Sequence, residues 1–346
     1  MSLSAAQRSR RAGLVDVARL ARVSPSTASR AIRGGAVSPD RRDRVLRAAA
    51  ELGYVPLPAA VRLSSGRART VGIVVPTAGR WFFVEVVAAA ARTLREAGYD
   101  LLVFEGGDQR PGHPPVAGEL RSKVDAVVLV TPGGTEGDLA ALRDLNVPTV
   151  VVGGSMPGAA RVGVDDEQGA ATAVRHLLLL GHRDVAMIAG QTGAGFGRMA
   201  GEARRAGFHR ALEEAGIPAC AGSVVSRRWG VAGGAAAMEQ ILSGDRLPTA
   251  VFAESDEMAF GALRVLRRAG LDVPGDVSVI GFDDHEMAEA FDLTTVAQPV
   301  AQQGHAAAAL LLDLLGRGSS GAPAAGVTLP THLVVRGSVR PPRGGP

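Results

Sequence analysis

Two acidic pairs, Asp165-Asp166 and Asp283-Asp284, and two histidines, His176 and His182, are the residues whose types could do acid–base or metal chemistry. Nothing near them in the chain supplies a nucleophile or a third ligand. The histidines stand six residues apart around a helix end, where Gly181-His182 reads as a stop rather than as a ligand pair. Gly193-Ala-Gly-Phe-Gly197 has the wrong spacing for a dinucleotide fingerprint and reads as a loop. There is no phosphate-cradling P-loop and no G-x-S-x-G elbow. Cys220 is the only cysteine, so neither a disulfide within the chain nor a cysteine-based zinc site can form. These patterns do not make an enzyme, and they call for no cofactor and no metal.

Arginine carries a different chemistry. Residues 1–69 hold 14 arginines against four acidic residues, whereas the rest of the chain holds 24 basic and 30 acidic residues. Clustered cations neutralise phosphates, so a basic head on a mildly acidic body points to nucleic acid. The alternative is a solvated basic tail, and the residue pattern decides between them.

Three helices are expected in the head. Leu14–Ala21 carries apolar residues at 14, 17, 18, 20 and 21 on one face. Ser24-Pro25 supplies an N-cap and a proline at the first helical position, so a second helix starts at Pro25 and ends at Gly34-Gly35. Ala28, Ala31 and Ile32 pack inward, leaving Ser26, Thr27 and Arg30 exposed. Ser38-Pro39 repeats the start signal, and a third helix runs to about Leu52 with Val45, Leu46, Ala49 and Leu52 inside and Gly53 as its stop. A tight turn between the first two helices makes a helix-turn-helix, whose second helix presents its N-terminal residues to base edges in the major groove.

The 346-residue chain is long enough for this head and a larger body, and 46% hydrophobic against 21% charged residues allows a sizeable core. Apolar strands are expected at 71–75, 101–104, 126–130, 149–152, 185–189, 250–253 and 277–282. Helices are expected at 83–97, 169–180, 204–215, 258–269 and 301–315. Buried strands spaced by helices mean parallel sheets, and two such sets mean two doubly wound α/β subdomains with a ligand cleft at their strand ends. The N-terminus lacks the apolar run of a secretory signal, and no stretch reaches the length of a membrane span, so a cytoplasmic, nucleoid-associated protein is expected. Residues 316–326 read as a loop and 341–346 as a disordered tail.

The run from Val15 to Arg30, continued by Val45–Pro56, resembles the head of the lactose-repressor/purine-repressor (LacI/GalR) family. The body resembles the same family and its periplasmic-binding-protein-like scaffold. The matching runs are Gly72–Pro76, Gly163–Asp166, His176–His182, Ser255–Ala259, Val277–Asp284 and Thr294–Pro299. The resemblance implies a helix-turn-helix at 12–56, a hinge helix or linker at 57–69 and an effector-binding body at 70–340. Within the body it implies a first subdomain of 70–166 and 298–326 and a second of 167–297 and 327–340.

The function it implies is an effector-controlled transcriptional regulator, usually a repressor. Such a protein binds double-stranded operator DNA as a homodimer and responds to a sugar or nucleobase-like ligand. DNA contacts fall to Ser24, Pro25, Ser26, Thr27, Ser29, Arg30 and Arg33 in the head. In the linker Leu63 matches a leucine that wedges into the minor groove and Ala60 the small residue before it, with plain contact to the body as the alternative for Leu63. Arg33 stands where the family usually has Asn, and Pro25 and Ser26 where longer side chains often read bases.

Effector contacts fall to Phe82, Phe83, Arg204, Trp229, Ser255 and Asp283. The alternatives are a helix-capping Asp283, a core Trp229 and a solvated Arg204. Arg80-Trp81 replaces a usual Asn-Pro ahead of the two phenylalanines. Two other functions fit parts of the chain: a solute-binding protein with an incidental head, against which the complete helix-turn-helix and missing signal peptide argue, and a dinucleotide-dependent enzyme, against which the missing phosphate loop argues.

Overall fold

The computed structural model describes residues 12–32, 34–54, 68–106, 116–132, 136–191, 198–218, 224–317 and 326–343. Arg33, Ala60, Leu63, Cys220 and the 193–197 loop lie outside these residues, as does almost all of the 57–69 linker. The chain divides into two compact units, Met1–Ala68 and Arg69–Pro346.

Among its described residues the first unit holds three helices, α1 (Leu14–Leu20), α2 (Pro25–Ile32) and α3 (Pro39–Glu51). Its core is small: Val17, Ala18, Ala21, Ala28, Ala31, Val45 and Ala48 are buried, with Ile32, Ala49, Leu52 and Tyr54 packed around them. Small side chains at i, i+3 and i+4 let three short helices approach closely. Two side chains differ from the expected inner faces. Leu46 is 48% exposed and Leu20 44% exposed, and Ala48 takes the place expected of Leu46. On α3 the step from Val45 to Ala48 follows the helical repeat inward, which turns Leu46 to the neighbouring face. Glycine ends two of the helices: Gly34 at φ 74° follows α2 and Gly53 at φ 58° follows α3.

The second unit contains two six-stranded sheets. The first sheet is built from β1 (Thr70–Val75), β2 (Asp100–Glu105), β3 (Ala126–Val130), β4 (Thr149–Val152) and β5 (Ala160–Val164). Helices α4 (Trp81–Glu96), α5 (Val116–Leu120) and α6 (Glu136–Arg143) alternate with these strands. The chain then makes the second sheet, with β6 (Val185–Gly190), β7 (Val224–Arg227), β8 (Ala250–Ala253), β9 (Ser278–Asp283) and β10 (Thr294–Ala297). Its helices are α7 (Asp166–Leu179), α8 (Arg198–Glu214), α9 (Val231–Leu242) and α10 (Asp256–Arg268). Helix α11 (Val300–Arg317) returns to the first lobe, where Ala307, Ala308 and Leu311 share a core with Val86, Ala90 and Leu94 of α4. Two short strands finish the body: β11 (Val327–Leu329) pairs parallel to β5, and β12 (His332–Val334) pairs antiparallel to β10.

The sheet orders are β11-β5-β4-β3-β1-β2 and β12-β10-β9-β8-β6-β7. Strands β1, β3, β6, β8 and β9 pair in parallel and are buried along their whole length, so they read as largely apolar runs rather than alternating ones. The expected boundary at 326/327 is corrected. Val327, Thr328 and Leu329 pair with Val162, Gly163 and Val164 of the first sheet, so the last crossing follows Leu329, where Pro330 cannot donate to a ladder.

Strands β5, β7, β10, β11 and β12 and helices α5, α6 and α9 were not expected from the sequence. Arg161 and Gly163 interrupt the apolar run of β5, β11 and β12 are three residues long, and Gly233-Gly234 disguises α9 as a loop. Those two glycines are there for packing. A Cβ on Gly234 would lie 2.1 Å from the Met258 carbonyl oxygen of α10, so the two helices meet backbone to backbone.

Candidate DNA-reading head and effector site

Ser24 organises the start of α2. Its Oγ accepts the Thr27 N–H at 3.2 Å and lies 2.9 Å from the hydroxyls of both Ser26 and Thr27. This is N-capping: the side-chain oxygen satisfies a backbone donor that the first turn leaves open. Ser38 makes no such side-chain bond at α3, where Pro39 at the first helical position and Asp40 in the first turn carry the start signal. The turn between α1 and α2 passes through Arg22 at φ 51°, and the Val23 N–H closes it on the Ala18 carbonyl at 3.0 Å. Ser24, Pro25, Ser26 and Arg30 are exposed, and Thr27 and Ser29 are half-buried. One end of α2 thus shows hydroxyls and a proline to solvent, with the Arg30 guanidinium a turn further on.

In the body, Arg204, Trp229, Ser255 and Asp283 gather about the C-terminal ends of the second sheet's strands, whereas Phe82 and Phe83 lie on α4 of the first lobe. Arg204 is only 6% exposed, which removes the solvated-face alternative. Its Nε donates to Asp166 Oδ1 at 2.9 Å and its Nη1 to the Glu254 carbonyl oxygen at 2.6 Å, with Asp283 Oδ1 3.5 Å from Nη1. The guanidinium carbon also lies over the Phe282 ring, 3.7 Å from its centre. Burial works to lower the Arg204 pKa, but the carboxylates of Asp166, Asp283 and Glu254 reverse this and hold the charge firmly.

Asp283 closes β9 with φ 128°. Its Oδ1 accepts Gln298 Nε2 at 2.6 Å, and Gln298 Oε1 accepts Gln303 Nε2 at 2.9 Å. It caps no helix, because a turn follows it. Burial raises its pKa against the pull of Arg204 and the Gln298 bond. Asp256 opens α10 beneath it and accepts Thr295 Oγ1 at 2.7 Å and the His285 N–H at 2.8 Å. Burial raises Asp256 too, and the Asp283 charge adds to that rise.

Ser255 caps α10, with its Oγ accepting the Met258 N–H at 3.4 Å. Trp229 is partly buried and lies against the end of β6. A Cβ on Gly190 would fall 2.0 Å from its Cε2. Phe83 is buried in the first lobe's core and Phe82 packs edge-on to it, with ring centres 5.6 Å apart.

The first lobe reaches the second through the N-terminus of α4. Arg80 donates to Glu257 through Nε at 2.9 Å, and its guanidinium lies 5.0 Å from the Trp229 ring centre and 5.5 Å from that of Phe83. Trp81 stacks against His285 at 4.6 Å. Arg80 follows β1, and Glu257 follows β8, so the strand ends of the two sheets face each other across these contacts. The residues that sequence reasoning did not assign to the site are Arg80, Asp166, Glu254, Asp256, Glu257 and Gln298. Asp166, Asp256, Glu257 and Gln298 stood inside the runs that carried the resemblance, and strand-end position alone would have flagged Glu254.

His182 has a structural place. His182 is buried between Thr249 Oγ1 at 2.9 Å and the Arg340 carbonyl at 2.8 Å, and burial lowers its pKa. No cluster of three metal-ligating side chains occurs among the described residues, and no helix there is long and apolar enough to cross a membrane.

Two family models match the chain: bacterial regulatory proteins of the lacI family over residues 13–56, and a periplasmic binding protein-like domain over residues 174–339. The HTH-type transcriptional regulator CelR of Thermobifida fusca is 37% identical over 350 aligned positions, covering 96% of this chain and 99% of the relative. A solved CelR–cellobiose complex superposes with TM-score 0.71 at 34% identity, over 95% of this chain and 100% of the other. The lac repressor dimer bound to operator and the anti-inducer ONPF superposes with TM-score 0.84 at 27% identity, over 96% of this chain and 100% of the other. With a lacI-family head, a binding-protein-like body and likeness to these regulators along nearly its whole length, the chain belongs to the lacI family of bacterial transcriptional regulators.

Proposed function

We propose that this chain is a cytoplasmic repressor that reads an operator with α2 and releases or grips it according to a small polar ligand held between the two lobes of the body. The observation that carries the reading is the head. Its second helix is capped by Ser24, exposes Pro25, Ser26 and Arg30 and leaves Thr27 and Ser29 half-exposed, on the helix that a helix-turn-helix lays in the major groove. Arg33, Ala60 and Leu63 complete the DNA-facing set by family likeness, with Leu63 as a minor-groove wedge. The head spans 12–56, the linker 57–69 and the body 70–340. A homodimer fits a two-fold operator, as in the lac repressor dimer bound to its own operator.

The body supplies what a sugar or nucleobase-like effector requires. Arg204 is a fixed donor and Asp283 a fixed acceptor for hydroxyls or ring edges, and Trp229 and Phe82 are apolar surfaces to cover a ring face. Phe83 and Ser255 act behind them, in the core and at the α10 cap. The related CelR structure is a complex with cellobiose, which supports a saccharide among the possibilities. An effector works by favouring one arrangement of the lobes. The test is an operator titration with and without a panel of sugars and nucleobases, using the whole chain and Asp283→Ala. The variant is expected to hold DNA and to ignore the ligand that shifts the unaltered protein. A variant that releases DNA normally on ligand addition contradicts the role of Asp283.

A further inference from the structure

Glu254 stands at the end of β8 with its side chain wholly buried. Its Oε2 accepts the Gly190 N–H at the end of β6, and its carbonyl oxygen accepts Arg204 Nη1 at 2.6 Å. Its Oε1 is buried and has no hydrogen-bond partner. A buried carboxylate oxygen left unmet is costly, and an isolated buried charge more so. The nearby cations do not meet this oxygen, although the Arg205 Nε is also buried without a hydrogen-bond partner. Arg204 is bonded to Asp166 and close to Asp283, and Arg205 donates through Nη2 to Ser226 Oγ at 3.1 Å.

The charges acting on Glu254 are those of Arg204 and Arg205, opposed by Asp166, and Arg204 is shared with Asp166 and Asp283. Burial pushes the Glu254 carboxyl up to about 7, which agrees with a carboxylate lacking a contact cation. Glu254 is also joined to residues of the proposed effector site. The glycine whose N–H it accepts is covered by the Trp229 indole, and the arginine on its carbonyl is the one assigned to the effector.

We propose that Glu254 is a specificity-determining residue of the effector cleft, and that its unmet Oε1 selects a ligand bearing a protonated amine, an amino sugar rather than a neutral one. This deepens the effector reading above and rests on it. A hydroxyl can donate to Oε1 but leaves the charge unbalanced, whereas an ammonium supplies donor and counter-charge together. The amine takes the Glu254 oxygen, while Arg204 and Asp283 remain for hydroxyls and Trp229 for the ring face.

The experiment is calorimetric titration of the full chain at pH 7.5 with matched pairs: glucosamine, galactosamine and mannosamine against glucose, galactose and mannose, each with its N-acetyl derivative. At least one amino sugar is expected to bind about tenfold or more tightly than its hydroxyl and N-acetyl partners, the size of one charge-assisted hydrogen bond. Glu254→Gln, with folding checked by circular dichroism, is expected to lose that preference. A neutral partner binding as well as the amine, or a preference that survives in Glu254→Gln, overturns the proposal while leaving the effector cleft standing. Binding of no member of any pair overturns this ligand class. A response to nucleobases in the operator titration would then keep the cleft, and silence there as well would remove the cleft too. The selectivity of the unaltered protein decides the matter if the variant does not fold.

Discussion

Arg80 and Glu257 form an ion pair between the lobes, Nη2 to Oε2 at 2.8 Å, with both side chains mostly buried. Arg80 precedes α4 of the first lobe, and Glu257 lies in the first turn of α10 of the second. The guanidinium lies between the Phe83 and Trp229 rings, so one side chain ties together both lobes and the aromatic surface assigned to the ligand. An effector that stacks on Trp229 must share that surface with Arg80 or move it.

Removing Arg80 leaves Glu257 a partly buried carboxylate without its cation. Arg80→Ala is expected to lower the stability of the body by about 1–3 kcal/mol in urea unfolding, the cost of stranding one partner of a mostly desolvated pair. Quenching of tryptophan fluorescence by acrylamide should rise, because Trp229 loses its cover. Unchanged unfolding and unchanged quenching together contradict a tie between the lobes.

Gly190 tests the placement of Trp229. An added Cβ would lie 2.0 Å from Trp229 Cε2 and 2.4 Å from Nε1, so the indole must leave the end of β6. Gly190→Ala is expected to shift the tryptophan emission and weaken effector binding about tenfold or more, as loss of a stacking surface would. Wild-type emission and wild-type affinity would place the indole elsewhere.

Much of this arrangement was legible in the chain and some was not. The caps and stops of the head were readable because Ser24-Pro25 and Gly53 act locally. The central strands were readable because strands buried on both faces must be continuously apolar. Arg204 and Asp283 were reached by resemblance, and the geometry adds the partners that hold them. Arg80–Glu257 joins residues 177 positions apart and Glu254–Gly190 joins residues 64 apart, and no local periodicity records such pairs. Strand β11 escaped for the same reason: three residues become a strand only because β5 is there to pair with them.

The buried Glu254 also gives a pH signature. Its carboxyl is raised from 4.5 to about 7, mainly by burial, so the folded protein holds this proton more tightly than the unfolded chain does. The group therefore favours folding below its unfolded value, and that contribution is lost as pH rises through about 7. Glu254→Gln keeps the shape without the titration. Its thermal midpoint relative to the unaltered protein should be more favourable at pH 8 than at pH 5. A difference between the two proteins that is the same at both pH values contradicts a strained, titrating Glu254.

Arg30 carries the base-reading end of the account, exposed in the last turn of α2 beyond the capped hydroxyls. A side chain that bonds a base edge is worth about 1–3 kcal/mol against the wrong base, whereas a pure phosphate contact weakens all sequences alike. The most direct measurement is enrichment of genomic DNA fragments by the purified full chain and by Arg30→Ala at the same salt, followed by titration of the enriched site. The unaltered protein is expected to bind a short two-fold-symmetric site, with affinity falling about 5-fold to 100-fold in Arg30→Ala. No enriched site, or one bound equally well by both proteins, would contradict it.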